Sequence, residues 1–164
     1  ISSNLREAVG NGENMAARAA MLLASTQAGM AFINTSVALV HAVAHALGGF
    51  FDIAHGVANA IMLPLVMRLS LIGNPGKYAD IAAAMGENVE GLSAMEAARE
   101  AVFAVESLAA DIGIPQDLKQ LGADPARISD LAEETLNQTG AYPFNPRKVG
   151  KREVMQLFEQ AFEL

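Results

Sequence analysis

The chain has three histidines, His41, His45 and His55, and all of them fall within fifteen residues. His41 and His45 are spaced i, i+4, so on a helix they share one face. The pair Gly48–Gly49 predicts a helix stop and a turn. Such a turn brings His55, at the start of the next helix, back toward that face. Neutral imidazole is a common ligand for iron and zinc. Two or three histidines without a carboxylate form an incomplete catalytic metal site. Ordinary core histidines of an alanine-rich helix have the same spacing, so spacing alone leaves both readings open.

Composition narrows the chemistry further. There is no cysteine among the 164 residues, which excludes disulfides, zinc–cysteine sites, iron–sulfur clusters and thiol nucleophiles and fits a reducing cytoplasm. The net charge is -7, and the 11 Lys and Arg are scattered without interleaved aromatics. That pattern argues against nucleic-acid binding.

The elements that must position the histidines are helical. The chain is 52% hydrophobic and rich in Ala, with eight Met, two Tyr and no Trp. Low aromatic and β-branched content favours helix over strand. Apolar periodicity and caps predict an all-α, multi-helix bundle of about seven to nine helices. A helix is expected over 13–31, with Asn34, Thr35 and Ser36 as a capping cluster for the next one, which stops at Gly48–Gly49. Another runs from near His55 toward Leu71, with Pro64 expected to kink or interrupt it. Asn74–Pro75 opens a helix to Met85. The capping box Ser93-Ala94-Met95-Glu96 opens one closed by Gly113. A short helix is expected over 115–121. Asp124–Pro125 starts a helix to about Gln138, a loop covers 139–150, and 151–163 is the last amphipathic helix. The stretches 28–51 and 53–73 are long and apolar, but their polar residues and Pro64 mark them as buried core helices rather than membrane spans.

The run His41-Ala-Val-Ala-His45-Ala-Leu-Gly48-Gly49-Phe-Phe-Asp-Ile-Ala-His55-Gly56-Val-Ala-Asn59-Ala60 resembles a signature of the iron-containing (group III) alcohol dehydrogenases. Leu63-Pro64, the upstream Gly29-Met30-Ala31-Phe32 and the late Asn145-Pro146-Arg147 match in the same register, so the resemblance extends to the last helix. It implies the C-terminal helical domain of the dehydroquinate synthase-like fold. In that family an N-terminal domain binds NAD or NADP, and a helical domain holds one metal, usually Fe²⁺, through four ligands. Those ligands are an Asp and a His four residues apart, then two further His. His41 and His55 match the latter pair. His45 matches a histidine that is not a ligand and lies near the nicotinamide, where it would relay or anchor a proton; the alternative is a buried His on a backbone carbonyl.

This chain departs from the family pattern in one large respect. It contains no Asp-x₃-His and no dinucleotide-binding glycine motif. The expectation is therefore that residues 1–164 form a single all-helical metal-binding domain, with the nucleotide-binding domain and the first two ligands lying before Ile1. In the intact family the metal polarises the alcohol oxygen as a Lewis acid and hydride passes to the nicotinamide. Small alcohols or aldehydes would be the substrates, Phe32 would line their pocket or sit in the core, and Gly56 would allow close packing beside His55. A homo-oligomer is expected, with an apolar patch near Phe32, Phe50 and Phe51. The rival readings are a zinc-dependent polyol dehydrogenase of the same fold and a non-catalytic helical module.

Overall fold

The computed structural model describes residues 1–115 and 117–163. Among these there are eight α-helices and no strand. They are α1 (Leu5–Gly10), α2 (Met15–Thr35), α3 (Leu39–Phe51), α4 (His55–Ser70), α5 (Pro75–Met85), α6 (Ala94–Asp111), α7 (Ile128–Asn137) and α8 (Lys151–Glu163), joined in places by single 3₁₀ turns. The all-α expectation holds.

The helix α4 organises the bundle. It packs against α3, α6 and α8, while α7 bridges α3 and α8 and α5 lies along α6. The main core is built from the inward faces of these helices: Leu39, Val43 and Leu47 of α3, Met62, Leu65 and Val66 of α4, Leu131 of α7, and Val154, Phe158 and Phe162 of α8. A second core joins Met67 and Leu71 to Ala82, Ala98, Ala101 and Val102. By length and composition alone, His55–Gly73 is apolar enough to cross a membrane, yet 50% of that window is buried inside the protein. That burial is what a core helix shows.

Several boundaries fall where side-chain chemistry places them. Asn14 accepts from Ala17 N, Asn74 from Lys77 N and Asp124 from Ala126 N, each satisfying an otherwise free amide of a first turn. Ser93 and Glu96 form the full capping box. Gly113 takes φ 76 beyond α6, as a left-handed terminator does. The short helix expected over 115–121 is reduced to a 3₁₀ turn at Leu118–Leu121; Gln116 lies outside the described residues.

Three expectations are corrected. Asn34 and Thr35 do not cap the following helix. Their side chains donate to Met30 O and Ala31 O, one turn back, and so prolong α2 to Thr35. The break comes at Ser36, with φ 65, and α2 and α3 meet at a bend of 103°. Gly48–Gly49 does not stop α3, which runs on to Phe51. Asp52 ends it in the left-handed conformation, with its N–H donating to Gly48 O, because the short polar side chain of Asp tolerates that region. Pro64 does not interrupt α4, which is continuous from His55 to Ser70 with Pro64 buried among its neighbours. The tertiary packing on three sides outweighs the single backbone bond that proline removes.

The segment after α7 is tied to the end of α4. Asn145, 5% exposed, exchanges hydrogen bonds with Ser70 Oγ and donates to Arg147 O. Arg147 donates to Leu69 O. Asn145-Pro146-Arg147 is thereby a structural clasp.

Candidate metal centre

The turn between α3 and α4 determines where the histidines lie. His41 sits in the first turn of α3, His45 one turn later, and His55 is the first residue of α4. Alanines at 42, 44 and 46 are fully buried, which seats α3 with its histidine face turned toward the start of α4. His41 Nδ1 lies 3.2 Å from His55 Nε2. The ring of His55 stands 5.2 Å, centroid to centroid, from both His41 and His45. All three imidazoles thus meet at one place, although the sequence separates them by a helix end.

The distance between the nitrogens tests whether they suit a metal. Two imidazole nitrogens bound to one ion at about 2.1 Å, with roughly 90–110° between them, stand about 3.0–3.4 Å apart. The 3.2 Å separation falls within that range. Burial pushes the His41 imidazole below its ordinary 6.5, and the neighbouring His55 and His45 push it the same way. This favours the neutral form, which is the one that binds metal. Among the described residues no group of three or more His, Asp or Glu is arranged to hold an ion, so two nitrogens are what this chain offers.

His45 is exposed and makes no hydrogen bond among the described residues, which removes the alternative of a buried histidine on a backbone carbonyl. With Ala44, Gly48, Gly49 and His55 it lines an open cleft of 420 Å³. The two glycines, having no side chains, leave room beside the rings. Phe32 is 50% exposed on α2 and is not part of that lining, so it is no core residue of this chain. Phe50 and Phe51 are half-buried against the main core, with the Arg127 guanidinium 4.6 Å above the Phe50 ring. They do not form the exposed patch expected of them. A Cβ at Gly56 would meet nothing within 4 Å, so that glycine serves no close contact with its surroundings.

One residue of the site escaped sequence reasoning. Asn59, one turn after His55, places Nδ2 3.1 Å from His55 Nε2 and 2.9 Å from His55 O, while its own Oδ1 is buried without a partner. The i, i+4 spacing of His55 and Asn59 was the available signal.

Residues 1–162 match the model of the Fe-containing alcohol dehydrogenase family, C-terminal part. The chain belongs to that family. It is 52% identical over 162 residues to 1,3-propanediol dehydrogenase of Citrobacter freundii, covering 99% of this chain and 42% of the relative. It is 35% identical to the NAD-dependent methanol dehydrogenase of Bacillus methanolicus, over 98% of this chain and 42% of that protein. The crystal structure of a 1,3-propanediol oxidoreductase superposes with a TM-score of 0.95 at 50% identity, covering 98% of this chain and 42% of that one. The chain therefore spans well under half the length of these iron-family relatives, and the fold read from its sequence is the fold of their C-terminal part.

Proposed function

We propose that this chain is the metal-holding helical domain of an NAD(P)-dependent alcohol dehydrogenase that interconverts a small alcohol with its aldehyde or ketone. The observation that carries the reading is the 3.2 Å separation of His41 Nδ1 and His55 Nε2, set by a helix turn that the family match covers end to end. In this reading His41 and His55 supply two of the ligands, and an Asp and a His of a preceding nucleotide-binding domain complete the set. A bound Fe²⁺ supplies a Lewis acid for the alcohol oxygen. The same donor geometry accepts Zn²⁺, so metal analysis distinguishes the two.

The remaining roles belong to this chain's own side chains. His41, which burial holds toward the neutral form, and His55 turn ring nitrogens toward one point. His45, exposed at the mouth of the cleft, holds or moves a proton near the nicotinamide. Phe32 contributes an apolar wall to the alcohol pocket once a second domain faces α2. NAD as the oxidant is supported by the NAD-dependent methanol-oxidising relative; NADP is the alternative. A homo-oligomer in a reducing cytoplasm, without membrane or nucleic-acid partners, fits the acidic, cysteine-free composition.

The test uses the longer protein in which this chain is joined to a nucleotide-binding domain. Iron or zinc content and NAD(P)-dependent alcohol oxidation are measured for the parent and for His41→Ala, His55→Ala and His45→Ala. The first two variants should lose metal and activity together, whereas His45→Ala should keep its metal and lose rate. Full metal content in both His41→Ala and His55→Ala would refute the reading.

A further inference from the structure

The chain has seven arginines against a net charge of -7, and three of them line one cleft. This cleft, of 650 Å³, lies between the end of α4 and α6 and is bounded by Arg68, Arg99 and Arg147 with Leu71, Ile72, Met95, Val102 and Phe103. No acidic side chain belongs to that lining. It is remote from the histidines: Arg68 is thirteen residues beyond His55 on α4, a rise of about 20 Å. It is therefore neither the metal centre nor a part of the alcohol pocket proposed above.

The three guanidiniums are held differently. Arg147 is anchored by its bond to Leu69 O and by the Asn145 clasp. Arg68 is oriented by its ion pair with Glu106, which stands outside the lining. Arg99, exposed and one turn from Glu96, enters no salt bridge or hydrogen bond among the described residues. Each guanidinium carries five donors in a planar fork that matches a carboxylate, and most of these donors are unused here. Beside them the cleft is apolar and wet: Ile72 is 63% exposed and Phe103 59% exposed. Side chains of that size left in water beside guanidiniums with donors to spare are suited to a ligand with a charged head and a hydrocarbon body.

We infer that the cleft between α4 and α6 is a binding site for a small amphiphilic carboxylate, its head on Arg99 with Arg68 and Arg147, its chain over Ile72, Val102 and Phe103. The probes are octanoate, 1-octanol and inorganic phosphate, titrated into the ¹⁵N-labelled 164-residue chain. Octanoate should shift the arginine side-chain signals of Arg68, Arg99 and Arg147 and the amides of Ile72 and Phe103. Arg99→Gln should weaken octanoate about tenfold, the usual loss for one charged hydrogen-bonding partner. Phe103→Ser should weaken octanoate and leave phosphate unchanged. Both side chains are exposed and outside the core, so neither variant endangers the fold. Octanol binding as tightly as octanoate would show that the guanidiniums do nothing, and phosphate binding as tightly would show the same of the apolar wall. Either result overturns the proposal. So would shifts confined to the separate apolar cavity of Leu63, Ile81, Val105 and Leu108, or an Arg99→Gln variant that binds octanoate unchanged.

Discussion

His41 Nδ1 and His55 Nε2 face each other at 3.2 Å across a turn that joins two helices, a separation that a ring-to-ring hydrogen bond and the bite of one metal ion share. Two ligands give only part of a chelate, so the chain by itself should bind Zn²⁺ or Co²⁺ weakly. His41→Ala and His55→Ala should each lower that affinity by about tenfold or more, on the scale of losing a charge-assisted contact. His45→Ala should change it little. Calorimetric titration of the three variants checks this, and an equal loss in all three would mean that the ring cluster, not the facing nitrogen pair, binds the ion.

A second expectation concerns the clasp at the other end of α4 from the histidines. A Cβ at Gly73 would stand 2.7 Å from Pro146 C and O and 2.8 Å from Arg147 N, all backbone atoms that cannot rotate away. Gly73→Ala should therefore destabilise the fold by about 1–3 kcal/mol through overpacking. Asn145→Ala removes the bonds that tie Ser70 Oγ and Arg147 O together and should cost a similar amount, about 1–3 kcal/mol. Urea denaturation reads both. The two changes disturb one contact, so the double variant should fall short of their sum.

Ser93–Glu96, Asn74–Pro75 and α8 were legible in the sequence because a cap or an amphipathic stripe is a local signal, decided within one or two turns. Gly48–Gly49 and Pro64 misled because their effect depends on what the rest of the bundle does: α4 stays whole around Pro64 under packing from three neighbours, and Asp52, not a glycine, ends α3. The meeting of His41 with His55 was foreseen in outline, since a stop between the two helices was required, though its position was off by three residues. Asn59 was missed because its one signal, the i, i+4 spacing from His55, is shared by polar residues along any helix face. That α2 stands apart was invisible for the converse reason, since its sequence is as apolar as any core helix.

The acid sensitivity of the metal-free chain has a definite sign. Burial, and then His55 and His45, hold the folded His41 imidazole below its ordinary 6.5. The unfolded chain thus takes up a proton at higher pH than the folded one, and stability falls as pH drops through 6.5 toward the folded value, then levels off. Glu96, lowered chiefly by the Ser93 hydroxyl, and Glu153, lowered by backbone N–H groups including its own, act in a lower window. Their stabilisation is present above the ordinary 4.5 and is lost as pH falls below it. Urea midpoints measured from pH 8 to 3.5 should show both declines. His41→Gln should flatten the upper one and leave the lower intact; an unchanged upper decline would remove His41 as its source.

The last expectation follows from α2. Ala17 is the helix's one buried residue, while Met15 is 69% exposed, Leu22 72%, Leu23 59%, Met30 64% and Ile33 79%. At about 100° per residue these five fall within an arc of roughly 100°, and Ala17 points almost the opposite way. These side chains therefore share the side of α2 directed away from α1, with Thr26 among them. Phe32 projects to another side of the helix, so the apolar patch lies along α2 itself and not around Phe32, Phe50 and Phe51. Five large apolar side chains left in water on one side of a helix mark a surface suited to association. In solutions of the 164-residue chain a second copy is the available cover, and two such stripes laid side by side exclude water from both. Sedimentation should accordingly show a dimer or larger species that dissociates on dilution. Leu22→Gln with Ile33→Gln should shift it to monomer without loss of helical signal, because neither side chain contributes to the core. A parent chain that sediments as a monomer at high concentration, and binds no hydrophobic dye, would mean that the α2 stripe is stable in water uncovered.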